Sequence, residues 1–216
     1  MKKFPRMLTL LLAMGLFLTA CGQSSNGEPA ANSASSSQGE QNSAQDPVAP
    51  DIESSETGGN ILVAYFSWFG NTEEMASYIA EQTSGTLFEI QPETPYPTDY
   101  NACGDVALEE RDSDARPAIA NLPESIDAYD TILIGYPIWW HTAPMIIGTF
   151  LESYDLTDVE IYPFTQSASM DTEQFNASVQ FVQDAAAGAN VHDGLFARPS
   201  DTESIDAYLS ENGLAQ

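Results

Sequence analysis

The order of apolar and polar positions divides the chain into three parts. Residues 7–20 form a mainly apolar stretch, whereas residues 22–59 are polar and contain no aromatic side chain. From residue 60 onward, short apolar runs alternate with segments in which apolar residues recur every three to four positions. Because such runs and segments are typical of strands and amphipathic helices, we predict that the folded part of the chain begins at residue 60.

Five short runs in this part have the composition of strands in a parallel sheet. The runs at 61–66 and 131–135 are continuously apolar, as expected where both faces of a strand are covered. The predicted strands are 61–66, 86–91, 131–135, 159–164 and 191–196, and the predicted helices are 73–83, 101–111, a segment ending near 153, 173–187 and 202–211. This alternation predicts a doubly wound five-stranded parallel α/β sheet, in which ligands bind beyond the carboxyl ends of the strands.

The first 20 residues have the features of an export signal. Lys2, Lys3 and Arg6 precede the apolar stretch, which would reach only about 21 Å as a helix and is too short for a hydrocarbon core of about 30 Å. The residues Leu-Thr-Ala-Cys at 18–21 resemble a bacterial lipobox. This resemblance implies cleavage before Cys21 and acylation of its thiol; the alternative is an ordinary signal peptide that is followed by a cysteine.

These observations predict a signal peptide over 1–20, a lipidated Cys21 with a flexible linker over 21–59, and one domain over 60–216. The linker lacks the apolar surface that would offset its ordering entropy, and as a coil it would span about 34 Å. We therefore expect an extracytoplasmic protein that is lipid-anchored to the bacterial cell membrane.

The charge of the chain is strongly negative. Its 216 residues include 32 acidic and six basic side chains, and three of the basic ones lie in the first six positions. After residue 20 only Arg111, Arg116 and Arg198 remain, which leaves a formal charge of −29. Because nucleic acids are bound mainly through Lys and Arg, the sequence excludes nucleic acid as an expected partner.

The loop after the first strand has the composition of an anion site. A strand that leads through a short polar turn into a helix brings unpaired N–H groups and the positive end of the helix dipole to one point. No Lys or Arg lies nearby, so the loop is not a Walker A motif, and binding would depend on N–H, hydroxyl and amide groups. The alternative is a capped helix without a ligand. The candidate residues are Ser67, Trp68, Phe69, Gly70, Asn71 and Thr72.

The loop after the third strand contains adjacent tryptophans. Such a loop would give a flat apolar wall beside the anion loop, and a planar aromatic ligand with a phosphate tail would fit both. The alternative is that one or both tryptophans pack into the core or onto the next helix. This loop comprises Tyr136, Pro137, Ile138, Trp139 and Trp140.

Together and in this order, the segments of residues 60–197 resemble flavodoxins, in particular the flavodoxin-like domains of exported bacterial proteins. The resemblance rests on the run ILVAYFS at 61–67 leading into Gly70-Asn71-Thr72, on Pro95-Tyr96-Pro97 with Asp99-Tyr100, on Arg116-Pro117, and on Gly135-Tyr136-Pro137-Ile138-Trp139-Trp140 with Ala143-Pro144.

The resemblance implies the strand order 2-1-3-4-5 and a noncovalently bound FMN. The FMN phosphate would lie on the loop from Ser67 to Thr72. The isoalloxazine ring would lie between the loop after the third strand and the loop after the fourth strand. The first of these contributes Pro137, Ile138, Trp139, Trp140 and His141, and the second contributes Thr165 and Ser167.

Two features depart from the family pattern. Phe69 stands where these domains usually have Ser or Thr, which removes a hydroxyl donor worth about 1 kcal/mol. The third loop, 165–171, lacks the usual glycines. These departures leave open a second hypothesis, in which the fold has lost its cofactor and serves as a surface binding or interaction module.

The first hypothesis is an electron carrier or small reductase that uses FMN. Its partners would be a redox protein or a quinone-like small molecule, since no nicotinamide site is evident. The negative surface disfavours further negative charge on a reduced cofactor, which predicts a low potential and basic, salt-sensitive partners.

Three further side chains have candidate roles. His141 either stabilises charge on the flavin or bonds to its own loop. Cys103 is expected to be a small buried hydrophobe, and Arg116 a structural counterion for nearby acids. For His192 the sequence suggests no chemical role.

Overall fold

The computed structural model describes residues 60–216, the segment that the sequence predicts to fold. The predicted signal peptide, the predicted acylation site at Cys21 and the predicted linker over 21–59 lie outside the described residues. Among residues 60–216, no helix is both long and apolar enough to span a membrane. The elements are β1 Ile61–Tyr65, α1 Asn71–Thr83, β2 Thr86–Glu89, α2 Tyr100–Asp112, β3 Thr131–Pro137, α3 Met145–Glu152, β4 Glu160–Gln166, α4 Thr172–Ala185, β5 Asn190–Val191, β6 Leu195–Phe196 and α5 Thr202–Glu211.

The strands form one parallel sheet in the order β2-β1-β3-β4-β5, with β6 also paired to β4. The predicted doubly wound fold and its strand order are confirmed. Alternate residues of the central strands enter two cores: Leu62 and Ile132 pack on the face of α3 and α4, whereas Val63 and Leu133 pack on the face of α1 and α5. Burial on both faces explains why these strands are continuously apolar.

The predicted fifth strand is interrupted, and a proline in β4 accounts for the interruption. In β4, the carbonyl groups of Ile161 and Thr165 accept bonds from His192 N and Ala197 N, so the backbone of the alternate residue Pro163 faces the same edge. Pro163 has no N–H to donate at this point of the ladder. The edge is therefore occupied by two short strands rather than by one continuous strand over 191–196.

The third and fourth strands extend further than predicted. Tyr136 and Pro137 belong to β3, because they pair with Thr165 and Gln166 of β4. Both residues are buried. Tyr136 therefore lies in the core and not in the ligand-facing loop. Within β3, Gly135 lies against the ring of the buried Phe164.

Three of the five helices begin at an aspartate. The carboxylates of Asp99, Asp171 and Asp201 accept hydrogen bonds from the N–H groups of Ala102, Gln174 and Ser204 at 2.9, 3.0 and 3.2 Å. Asp99 is thus the N-cap of α2, and Asp171 and Asp201 are the N-caps of α4 and α5. Each bond satisfies an N–H group that would otherwise lack a partner at the start of its helix.

The cap of α2 has a measurable expected effect. Replacing Asp99 by Ala should lower the free energy of unfolding by about 1 kcal/mol, because Ala102 N loses its partner. Urea denaturation would measure this loss. Asp105→Ala, at an exposed position of the same helix, is the control and should change stability by less than about 0.5 kcal/mol. Equal losses in the two variants would contradict the assignment.

Candidate functional site

The loops after β1 and β3 lie side by side at the carboxyl edge of the sheet, because β1 and β3 are paired neighbours. Phe66 N, directly after β1, donates to Gly135 O of β3 at 2.9 Å, which joins the two strands close to their carboxyl ends. The structure therefore brings together the two loops that the sequence singles out.

The loop after β1 leaves the start of α1 without a side-chain cap. The N-cap residue is Gly70, with φ of 86° and no side-chain cap bond, in contrast to the aspartates of α2, α4 and α5. Ser67 Oγ accepts a bond from Gly70 N at 3.0 Å, and Gly70 O accepts one from Glu74 N at 2.8 Å. Within residues 60–216, the N–H groups of the intervening residues 71–73 make no hydrogen bond. These N–H groups are free to receive an anion.

The side chains of this loop divide into exposed and buried groups. Asn71 is exposed and available to a ligand, whereas Thr72 is almost fully buried. The expectation that the Thr72 hydroxyl faces a ligand therefore does not fit its position. Phe69, 63% exposed, has its ring centroid 3.8 Å from that of Trp68.

The two tryptophans after β3 have different surroundings. Trp139 is half-buried and makes edge contacts with Phe66, Trp68 and Tyr96 at centroid distances of 5.3, 6.1 and 5.1 Å. Trp140 is 43% exposed, and its indole Nε1 donates to Gly104 O at 2.8 Å. Trp139 is thus packed against an aromatic cluster, and Trp140 bridges from the loop to α2.

These tryptophans belong to a tight two-residue turn. Trp139 and Thr142 exchange two backbone bonds of 3.0 Å, while Trp140 and His141 have φ of 47° and 69°. Positive φ at both central positions is the type I′ geometry, which strongly favours Asn and Gly. Two large side chains in that conformation are strained, by about 1–3 kcal/mol each, and such strain is typical of functional sites.

A cavity of about 370 Å³ lies between this turn and the first turns of α2. This volume is at the low end of the range for small-molecule sites. Its lining residues come from the loop after β1, from α2 and from the turn after β3. It is lined by Trp68, Tyr100, Asn101, Cys103, Gly104, Asp105, Ala107, Ile138, Trp139, Trp140 and His141.

The contribution of α2 was not predicted from the sequence. A Cβ atom placed on Gly104 would meet no atom within 4 Å, so this mid-helix glycine leaves open space beside the cavity. Glycine within a helix costs about 1 kcal/mol relative to alanine. Its position four residues after Tyr100, on the same helix face, is the one signal that the sequence offers.

The loop after β4 lies apart from this cavity. Thr165 is fully buried and its hydroxyl donates to Tyr136 O, so its side chain is not available to a ligand, contrary to the expectation. Ser167 Oγ accepts a bond from Met170 N at 3.1 Å, within its own loop. Neither residue lines the aromatic cavity, so a planar ligand there would contact α2 rather than the third loop.

The charged and titratable groups near the site are few. His141 lines the cavity, and its ring makes no hydrogen bond within residues 60–216. Cys103 is a free, buried thiol whose pKa is raised to about 11, first by burial and then by the charge of Glu110. The prediction that Cys103 is a small buried hydrophobe is consistent with this position. In the described residues, no group of three His, Cys, Asp or Glu side chains could hold a metal ion.

The arginines and the second histidine have different positions. Arg116 bridges Glu152 at 2.7 Å and Asp114 at 2.8 Å, in line with its predicted structural role. Arg111, in contrast, donates to Trp140 O at 3.2 Å and is the cation that reaches the turn. His192 pairs with Glu160, the first residue of β4, at the opposite edge of the sheet.

Comparison with known proteins gives a consistent result. The profile of a family described as flavodoxin matches residues 60–211. A proposed flavoprotein from Bacteroides uniformis ATCC 8492 is 35% identical over 71% of this chain and 99% of its own, with a TM-score of 0.62. A proposed flavoprotein from Bacteroides eggerthii DSM 20697 is 33% identical over 70% of this chain and 96% of its own, also with a TM-score of 0.62.

A flavoprotein from Lactobacillus acidophilus NCFM, solved in complex with FMN, is 27% identical over 70% of this chain and 99% of its own, with a TM-score of 0.59. No curated protein is significantly similar to the chain in sequence.

Proposed function

The chain belongs to the flavodoxin family, and we propose that it binds FMN at the aromatic cavity and the adjacent anion loop and acts in electron transfer. The L. acidophilus relative that was solved with FMN supports this choice of cofactor. When bound, FMN supplies the capacity to accept and pass on electrons, while the protein positions it and sets its electrostatic surroundings.

One observation carries the proposal: an uncapped helix N-terminus lies at the same sheet edge as an aromatic cavity. An aspartate cap at Gly70, like those of α2, α4 and α5, would place a negative charge where the phosphate binds. The free N–H groups of residues 71–73 are the donors that a phosphate needs where no Lys or Arg is present. The residues present therefore fit an FMN phosphate.

The cavity supplies the second half of the fit. Trp68, Trp139 and Trp140 line it with aromatic rings, and the backbone of Gly104 allows close approach from α2. Aromatic walls favour a planar ring, because offset stacking and edge contacts add about 0.5–1.5 kcal/mol per pair beyond area burial. These rings exclude water from the planar part of the ligand and fix its orientation.

The cellular setting is part of the same proposal. The basic residues before the apolar stretch and the lipobox-like residues at 18–21 support export and acylation of Cys21. Residues 60–216 contain 26 acidic side chains against three arginines, which supports a basic redox protein or an uncharged quinone-like molecule as partner. An anionic dinucleotide is disfavoured by the same charge.

A spectroscopic experiment tests cofactor binding. The purified full chain is mixed with FMN and desalted, and its visible spectrum and its flavin and tryptophan fluorescence are recorded. A yellow protein with quenched fluorescence is the expected result. A colourless protein with unquenched signals would overturn the proposal and favour the cofactor-free interaction module.

Single replacement of the two tryptophans tests the aromatic wall. Trp139→Ala and Trp140→Ala are each expected to weaken FMN binding about fivefold to tenfold, measured by fluorescence titration, because each loses one aromatic contact. Leu87→Ala is the matched control, since Leu87 is 42% exposed but lies on β2, outside the cavity. Wild-type affinity in both tryptophan variants would refute the wall.

The lipid anchor is tested separately. Cys21→Ser should move the protein from the membrane fraction to the soluble fraction of the cells that express it, without changing FMN affinity. Retention of this variant in the membrane fraction would contradict acylation of Cys21.

A further inference from the structure

We infer that Arg111 is a positioning residue, which holds the Trp139–Thr142 turn against α2 and so maintains the shape of the aromatic cavity. The inference rests on the proposed function for the identity of the ligand, but not for the geometry of the turn.

The turn needs support from outside its own backbone. Trp140 and His141 both adopt the left-handed conformation, which large side chains rarely adopt. Such a conformation persists only where the surrounding contacts determine it. Besides the two bonds between Trp139 and Thr142, two contacts reach the turn from α2: Gly104 O accepts from the Trp140 indole, and Arg111 donates to Trp140 O.

Arg111 is oriented for this contact. Its Nε and Nη2 both donate to Asp112 Oδ1, at 3.0 and 2.6 Å, which leaves Nη1 to donate to Trp140 O at 3.2 Å. Its guanidinium carbon lies 5.8 Å from the centroid of the Trp140 ring, within the distance of a cation–π contact. One side chain thus contacts both the backbone and the ring of Trp140.

The other two arginines do not share this role. Arg116 is engaged by Asp114 and Glu152, and Arg198 makes no ion pair within residues 60–216. Among the described residues, Arg111 is the only Lys or Arg that contacts the turn. Its placement on the second half of α2, seven residues after Gly104, lets one helix hold Trp140 at two points.

The first readout uses the full chain without FMN. Solvent exchange of the Trp140 indole N–H, assigned among the three tryptophans by ¹⁵N NMR, reports whether the indole stays bonded to Gly104 O. Arg111→Gln and Arg111→Lys should both accelerate this exchange. Neither side chain has the planar guanidinium fork that bonds two partners at once; lysine keeps the positive charge, whereas glutamine does not. Asp112→Asn, which leaves Arg111 in place but loosens its orientation, should give an intermediate rate.

The second readout is FMN affinity. Arg111→Gln and Arg111→Lys should weaken FMN binding roughly fivefold, with melting temperatures close to that of the wild type. Arg198→Gln removes the same charge from an exposed position and should leave both the exchange rate and the affinity unchanged.

Two results would overturn the inference. The first is an unchanged exchange rate of the Trp140 indole N–H in Arg111→Gln. The second is an unchanged exchange rate and an unchanged FMN affinity in Arg111→Lys, which would show that only the positive charge of Arg111 matters. If the wild-type protein binds no FMN, the proposed function fails, while the exchange rates still decide the role of Arg111.

Discussion

Replacing Asn71 by Asp is expected to weaken FMN binding between tenfold and a hundredfold while leaving the cofactor-free protein as stable as before or slightly more stable. Asn71 is the exposed first residue of α1, where the N–H groups lack partners. A carboxylate there would repel a phosphate by about 1–3 kcal/mol at a separation near 6 Å. The same carboxylate interacts favourably with the helix dipole, by about 0.3–1 kcal/mol.

The two effects have opposite signs, which makes this test specific to a phosphate site. Fluorescence titration gives the affinity, and thermal unfolding without FMN gives the stability. The loss of affinity should shrink as salt is added, because an exposed repulsion is screened. Asn176→Asp adds the same charge at an exposed position of α4 and should change the affinity less than twofold. Equal losses in the two variants would show that net charge alone is responsible.

The largest effect on stability is expected for Gly135→Ala. A Cβ atom at residue 135 would lie 2.2 Å from Cζ and 2.3 Å from Cε2 of Phe164, which is fully buried in β4. The ring must therefore move within a closely packed core, and overpacking of this kind costs about 3 kcal/mol. Urea denaturation of the variant would measure the loss of unfolding free energy.

The same substitution in a protein that also carries Phe164→Leu distinguishes this clash from a general loss of stability in β3. In a Phe164→Leu protein the ring is absent, so adding Ala at residue 135 should cost less than about 1 kcal/mol further. The double-mutant cycle should thus show a coupling of about 2 kcal/mol. A cost of Gly135→Ala that is the same in both backgrounds would contradict the contact between Gly135 and Phe164.

The parallel sheet and the position of the anion loop could be predicted because they depend on local patterns. Continuous apolar runs mark strands that are covered on both faces, and a glycine followed by a helix marks the start of α1. The structure retains these features: β1 is followed by Gly70 at the N-terminus of α1, and the loop after β3 lies beside it.

The parts that could not be predicted depend on contacts between distant residues. Tyr136 and Pro137 have the composition of a loop, yet pairing with β4 extends β3 through them. Trp140 and His141 form a turn that local preference would assign to Asn and Gly, and α2 supplies the bonds that hold it. Thr165 has the polarity of a ligand contact, but its hydroxyl is used within the sheet.

The break at Pro163 also affects how the molecule behaves towards other copies of itself. A sheet edge with a long row of unpaired N–H and C=O groups can recruit another chain and begin aggregation. Here one edge consists of β5 and β6, two residues each, and the other consists of the four-residue β2, which ends at the exposed, charged Glu89. Within residues 60–216, neither edge offers the long, flat template that fibrillar self-association requires, so strand-to-strand polymerisation of the folded domain is not expected even at high concentration.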